Sequence, residues 1–127
     1  MKKVLLGFLF LSGTIFAEEI LIFGGQSNKD FLGCLTCNEY ASNSVWNEMS
    51  QYGWANSFGK WNPFGDYKNP YSNYSACNSY SSNGPVLVDK FGNFYGRLTI
   101  NEYADKSICG ISGDDKICGA LKVMCSK

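Results

Sequence analysis

The sequence contains no histidine. This absence excludes serine–histidine and cysteine–histidine nucleophile pairs and every histidine metal site, and with them most hydrolase designs. Charge of one sign is lacking too, because eleven basic residues balance eleven acidic ones, and the basic residues after Lys3 are scattered singly. A chain without a basic patch has no electrostatic footprint for nucleic acid or for anionic lipid, so we expect no nucleic-acid partner.

Long apolar runs are scarce, and the N-terminal run is too short to span a bilayer. It follows two lysines in "MKKVLLGFLFLSGTIFA" and ends at Ile15-Phe16-Ala17, a sequence typical of signal-peptide cleavage. We predict a signal peptide over residues 1–17 and one secreted or periplasmic domain over residues 18–127. That domain would carry nine basic and eleven acidic residues. A retained membrane anchor is the alternative, and after cleavage we expect no membrane insertion.

The six cysteines all lie in the predicted mature domain, and an even count in a small exported chain favours disulfides. The spacing of Cys34-Leu35-Thr36-Cys37 matches a redox motif, but no strand-to-helix start accompanies it, so we predict a structural bridge. A thiolate zinc site is the less favoured alternative in an oxidising compartment. The cysteines are Cys34, Cys37, Cys77, Cys109, Cys118 and Cys125.

The pairing of these cysteines follows in part from spacing. On a helix Cys118 and Cys125 would be separated by about 10 Å along the axis, so they cannot bond each other, and we predict that one of them bonds Cys109. For Cys37 and Cys77 we favour a folded-back arrangement in which they bond each other. An open arrangement would instead join Cys37 to Cys34 and leave Cys77 to a cysteine of the C-terminal tail.

The segments at the two ends of the mature chain predict a mainly β domain that contains disulfides. Residues Ile20 to Phe23 form a short apolar strand that we expect to be buried, and residues 86–101 form a β-hairpin in which Gly96 marks a bulge or a close backbone approach. A short C-terminal helix over residues 114–127 begins at Asp114-Asp115. Its buried stripe contains Ile117, Leu121 and Met124.

The middle of the chain has no leucine or isoleucine from Val45 to Tyr80, yet it is rich in aromatic residues and asparagine. Across residues 37–80 an asparagine, one further residue and usually an aromatic recur. Asparagine and serine at this density oppose helices. We predict turn or short-strand repeats of about fifteen residues, with their rings stacked on one another. The aligned asparagines are Asn38, Asn47, Asn62 and Asn78, spaced by 9, 15 and 16.

These repeats, followed by the hairpin sequence "GNFYG", resemble a family of small, exported, uncharacterised bacterial proteins. The resemblance covers Ser27 to Tyr103 and excludes the tail that carries the last three cysteines. It implies the repeat-and-hairpin architecture and no particular activity.

The aromatic repeat region predicts a non-catalytic binding or interaction module. Its rings can stack on sugars, while asparagine amides offer paired donors and acceptors, so the partner would be a glycan, the cell envelope or a protein. The alternative interpretation makes the rings a core poor in aliphatics. We expect Trp46 and Trp61, which follow the repeat, to be buried. The predicted ligand-binding residues are Trp54, Tyr67, Tyr71, Asn47 and Asn62.

An enzyme is the other functional class. A small secreted hydrolase needs only two carboxylates at a suitable separation, but none here has an apolar environment that would raise its pKa, and thiol redox chemistry at the two closest cysteines is less favoured still. We assign no catalytic residue, metal or cofactor. The carboxylates considered are Glu39, Glu48, Asp66, Asp89, Glu102, Asp105, Asp114 and Asp115.

Overall fold

The computed structural model describes residues 18–127, so the predicted signal peptide lies outside the described residues. Four strands form one antiparallel sheet in the order β2-β1-β3-β4, and one helix, α1 (Asp115–Cys125), ends the chain. A 3-10 turn at Gln26–Asn28 connects the first two strands. The predicted mainly β class with a short C-terminal helix is confirmed. The strands are β1 (Leu21–Gly24), β2 (Asp30–Cys34), β3 (Val86–Val88) and β4 (Phe94–Arg97).

The sheet covers the core with one face. In β1, Ile22 is fully buried and pairs with Leu87 of β3, while Leu21 and Phe23 remain partly exposed. Successive side chains of a strand point to opposite faces, so the side of the sheet that carries Ile22 and Leu87 is packed more fully than the other. The expectation that the whole apolar strand is buried was therefore wrong for its outward side chains.

The predicted hairpin is confirmed, with β4 shorter than expected. The register of the β3–β4 pair shifts between Leu87 and Val88, and Gly96 has a φ of 127°. A Cβ atom at Gly96 would lie 3.0 Å from the carbonyl oxygen of Lys106, which is the predicted close backbone approach. Phe94 is half exposed, so the buried face of this segment begins at Leu98.

The region between β2 and β3, residues 35–85, consists of consecutive turns and is called the wound segment here. From Asn38 to Gly65 every third amide donates to the carbonyl three residues earlier, and further bonds join residues nine apart, such as Trp54 N to Val45 O at 2.8 Å. These spacings of three and nine differ from the predicted unit of about fifteen residues. A Cβ atom at Gly59 would lie 2.2 Å from the carbonyl oxygen of Gln51, so the windings pack too closely there for a side chain.

Helix α1 begins where the sequence predicts. The Asp114 side chain accepts a hydrogen bond of 3.0 Å from the amide of Ile117, which satisfies one of the free donors of the first turn. Leu121 and Met124 are buried and Ile117 packs against the core. The predicted apolar stripe is thereby confirmed, and it fixes the helix against the wound segment. No helix among residues 18–127 is long and apolar enough to cross a membrane.

Three disulfides cross-link the described chain: Cys34–Cys37, Cys77–Cys125 and Cys109–Cys118. The last confirms the predicted partner of Cys109, and the first confirms a bridge at the CxxC spacing. The predicted Cys37–Cys77 bond is wrong. The consecutive turns between Cys37 and Cys77 do not bring these two cysteines together. Cys77 instead bonds Cys125 at the end of α1, which is the pairing expected for the open arrangement.

Candidate binding surface

The recurrent local unit of the wound segment is an asparagine turn, and the turn at Asn56 shows its construction. The Asn56 side-chain oxygen accepts from the amide of Phe58 at 3.0 Å, and the Asn56 carbonyl accepts from Gly59 at 3.3 Å. Asparagine suits this role because its short side chain can bond its own backbone two residues on. The same side-chain bond is made by Asn38, Asn47, Asn62, Asn69, Asn78 and Asn101.

Each of these turns displays a large side chain to solvent. The residue two positions after the asparagine donates its amide to the turn, and its side chain is between 86% and 96% exposed in all seven turns. Large apolar side chains scattered singly on a surface are ordinary, but one at the same position of every turn is a regular feature of the surface. The seven residues are Tyr40, Met49, Phe58, Phe64, Tyr71, Tyr80 and Tyr103.

Hydrogen bonds between windings place these turns side by side. The Asn56 amide nitrogen donates to the carbonyl of Ser50 at 3.0 Å, which lies in the turn that begins at Asn47. Equivalent bonds join Asn47 to Ala41, Asn78 to Ser72 and Asn101 to Ser81. Six of the seven displayed side chains therefore fall into a first ring row, consisting of Tyr40, Met49 and Phe58, and a second ring row, consisting of Tyr71, Tyr80 and Tyr103. Phe64 belongs to neither row, because the amide of Asn62 donates to Gly59 instead.

A different set of rings packs on the inside of the same segment. Trp46, Trp54, Trp61 and Tyr67 contact one another in that order, edge to face, with ring centroids 5.0, 6.0 and 6.3 Å apart. This geometry is the favoured one for aromatic pairs, because the positive edge of one ring meets the negative face of the next. The indole nitrogen of Trp61 also donates to the carbonyl of Leu32 at 3.0 Å, which ties this inner ring ladder to β2.

An ion pair closes one end of the inner ring ladder. Asp30 accepts from the Lys60 ammonium at 2.9 Å and from the Tyr67 hydroxyl at 2.7 Å. Burial acts to raise the pKa of Asp30, but these two donors outweigh it and the pKa is lowered. The pKa of Tyr67 is raised, first by burial and then by the neighbouring Asp30 carboxylate. Asp30 is therefore a charged anchor between β2 and the wound segment.

The predicted ligand-binding rings separate into two groups. Tyr71 is 90% exposed in the second ring row, as predicted. A ligand-binding role requires exposed rings, but Trp54 and Tyr67 are only 6% and 9% exposed because they belong to the inner ring ladder. Trp61 is buried as predicted, whereas Trp46, expected to be buried, is 43% exposed at the ladder's outer end.

The predicted ligand-binding asparagines have their amide groups engaged by the backbone. Asn47 accepts from the amide of Met49 and donates to Ala41, and Asn62 accepts from Phe64 and donates to the carbonyl of Gly59. The asparagines therefore build the surface, while the residues two positions later form it. The asparagine-x-aromatic pattern itself is the signal that identifies Phe58, Tyr80 and Tyr103, since each occupies the third place.

Some side chains of the types used in catalysis or metal binding have structural roles. Asp89 is tied into the hairpin turn and Asp114 caps α1. Among residues 18–127 one set of metal-type ligands lies close together, formed by Glu19, Cys34 and Cys37, but its two sulfurs are bonded to each other. Asp89 and Asp114 therefore hold local backbone structure, and the two cysteines form a bridge.

Comparison with protein-family models, curated proteins and solved structures found no match for this chain.

Proposed function

We propose that this protein is an exported, non-catalytic binding module whose two ring rows hold a glycan of the cell envelope. The observation that carries the proposal is the regular exposure of one large side chain on every asparagine turn. Exposed rings lose favourable burial unless a partner covers them, so an array held in register by backbone hydrogen bonds supports a recognition surface.

A glycan fits the chemistry of these rows. Aromatic rings offer flat apolar faces for the C–H faces of sugars, and the tyrosine hydroxyls of Tyr71, Tyr80 and Tyr103 can exchange hydrogen bonds with sugar hydroxyls. Hydrogen bonds join adjacent turns directly, so each row offers closely spaced contacts. Several weak contacts along one chain add up to useful avidity, which favours a polymer over a single sugar.

Export is part of this proposal. The disulfides fit an oxidising compartment, and the predicted signal peptide would direct the chain there. Mass spectrometry of the protein from its native compartment should give an N-terminus at Glu18. An intact Met1 recovered in the membrane fraction would overturn the export step without touching the ring rows.

The binding step is tested with the oxidised protein and its Y71A/Y80A/Y103A variant, which removes the second ring row. The S79A/E102A variant is the matched control, because it changes exposed residues of the same turns and leaves every ring in place. Each protein is sedimented with insoluble peptidoglycan and run through gels that contain soluble glycans. We expect the control to bind like the wild type and the triple variant to lose affinity by about tenfold or more.

The outcome against the proposal is equally clear. If the wild type binds none of the glycans, the glycan is the wrong partner class, and if the triple variant binds like the control, the second ring row is not the surface. Tryptophan emission is a poor readout for these rows, because Trp54 and Trp61 are buried in the inner ring ladder. Sedimentation and gel retardation avoid that difficulty.

A further inference from the structure

A cavity of about 420 Å³ lies between helix α1 and the outer end of the inner ring ladder. The helix contributes Ala120, Val123 and Met124 to its wall, and the wound segment contributes Trp46 and Trp54. Its volume falls in the range of small-molecule sites, which is roughly 300–1,000 Å³, and such sites are mostly apolar with a few polar groups. This cavity is separate from the ring rows.

Trp54, one of the residues that line this cavity, carries an unpartnered donor. Among the described residues the indole nitrogens of Trp46 and Trp61 donate to the carbonyls of Leu35 and Leu32, but the buried Trp54 indole nitrogen has no hydrogen-bond partner. A buried N–H without an acceptor loses its hydration and gains nothing in return, so such groups are rare. The middle member of the ladder therefore lacks an acceptor that both of its neighbours have.

Two lysines give the cavity wall a positive charge. Lys68 is only 9% exposed, and within residues 18–127 no carboxylate lies within 4.0 Å of its ammonium group. Burial lowers the pKa of Lys68, and the charge of Lys127, which also lines the cavity, lowers it further. Glu48 is the single acidic side chain among the lining residues, against two lysines. A largely buried lysine whose ammonium has no carboxylate partner, beside a second lysine, favours an anion in the cavity.

We propose that this cavity binds an amphiphilic monocarboxylate, with the carboxylate at Lys68 and Lys127 and the apolar part against α1. A carboxylate satisfies both ammonium groups through charge-assisted hydrogen bonds. The aliphatic and aromatic remainder of the wall then covers an alkyl chain or ring. A purely polar anion would leave the apolar residues of the wall exposed to water.

The test titrates the oxidised protein with decanoate, kept below its micelle-forming concentration, and follows binding by calorimetry. Trp46 and Trp54 line the cavity, so their emission gives a second readout. Decanol and decylamine carry the same chain without the negative charge, and butyrate carries the charge on a short chain. We expect saturable binding of decanoate, with each of the other three probes weaker by about tenfold or more.

Three variants locate the site. K68M removes the buried cation, and we expect it to weaken decanoate binding about tenfold, whereas K116M, which changes an exposed lysine of α1 outside the cavity, should bind like the wild type. A120F fills the cavity from the helix side and should abolish binding. Circular dichroism and thermal melting confirm that each variant is folded before its titration is interpreted.

Several results would overturn the inference. Equal binding of decanoate and decylamine would show that the negative charge of the ligand is not recognised. Equal affinities of K68M and K116M for decanoate would show that Lys68 is not part of the site. If A120F is folded and still binds decanoate, the ligand lies elsewhere. If A120F does not fold, K68M against K116M decides the matter alone. Signals that do not saturate, or no binding at all, also count against the proposal.

Discussion

Trp61 and Phe58 are three residues apart in one segment, yet Trp61 is fully buried and Phe58 is 96% exposed. Both are large rings that would stabilise the fold if covered. The difference comes from the turns. Phe58 is the third residue of an asparagine turn, and its amide is held by the side chain of Asn56. Trp61 follows that turn, and its indole reaches β2.

This comparison shows that position within the turn, rather than residue type, decides which rings are buried. Trp54 lies seven residues after Asn47 and is buried, as is Val45 seven residues after Asn38. The place two residues after an asparagine is exposed even when methionine fills it, as at Met49. The segment therefore divides its rings into an inner set that stabilises the fold and an outer set that is free to contact a partner.

The largest expected effect breaks the inner set. In W61A the indole loses its contacts with Trp54 and Tyr67 and its hydrogen bond to Leu32, and a cavity replaces it. We expect the free energy of unfolding to fall by about 3–5 kcal/mol in urea titrations. F58A is the matched outer control and should change it by less than about 0.5 kcal/mol. Similar losses in the two variants would contradict the division into inner and outer rings.

The next largest effect concerns the disulfide that joins the wound segment to α1. The Cys77–Cys125 bond joins residues separated by 48 positions, whereas Cys34–Cys37 spans three. A longer closed loop restricts the unfolded chain more, so C77A/C125A should lower the free energy of unfolding by about 2–4 kcal/mol. C34A/C37A, measured in the same denaturant series, should lose less. The reverse order would show that native contacts, not loop closure, dominate these bonds.

A smaller, pH-dependent effect compares an aspartate turn with the asparagine turns. The Asp89 side chain accepts from the backbone amide of Phe91, two residues later, as the asparagine side chains do in their turns. It also accepts from Asn93 and Tyr95. Burial acts to raise the pKa of Asp89, but these hydrogen bonds lower it to about 2. A carboxyl whose pKa is lowered by folding stabilises the protein above its unfolded pKa, and this contribution is lost as the pH falls towards its folded pKa.

Between pH 4 and pH 2 the wild type should therefore lose stability, in part through Asp89. D89N cannot titrate and should show a shallower loss across this window, measured by thermal melting at each pH. The asparagine-turn variant N56D provides the opposite change, since it introduces a carboxyl in place of the amide. Parallel pH profiles for the wild type and D89N would show that Asp89 does not contribute.

The sequence predicted the regular elements well because their signals are local. An apolar run, a turn sequence and a capping aspartate place β1, the hairpin and α1 without knowledge of the remaining chain. The sequence also placed Trp61 and Tyr71 correctly. It predicted a ligand-binding role for Trp54 and Tyr67, which are buried. The predicted repeat of about fifteen residues differs from the hydrogen bonds, which join residues three and nine apart.

Pairing and the cavity required the three-dimensional structure. The Cys77–Cys125 bond depends on where α1 returns, which no local pattern specifies. Lys68 belongs to an ordinary polar stretch in the sequence, and its burial beside Lys127 arises only from tertiary packing. Asn56 and Asn101 were within reach of sequence analysis, since both match the asparagine-x-aromatic pattern already recognised at Asn38.

The smallest expected effect sharpens the comparison within a single turn. Asn78 accepts from the amide of Tyr80 and donates to the carbonyl of Ser72, so N78A removes both bonds and leaves that carbonyl with the amide of Ser75 alone. Each lost bond is worth about 0.5–1.5 kcal/mol, so we expect N78A to lower the free energy of unfolding by about 1–3 kcal/mol. Tyr80 itself is 92% exposed, so Y80A should change it by less than about 0.5 kcal/mol. Both are measured by urea unfolding of the oxidised protein. A destabilised Y80A would show that the ring of Tyr80 contributes to packing. If Y80A is as stable as the wild type but sediments less with glycan, then Asn78 stabilises the turn and Tyr80 serves binding.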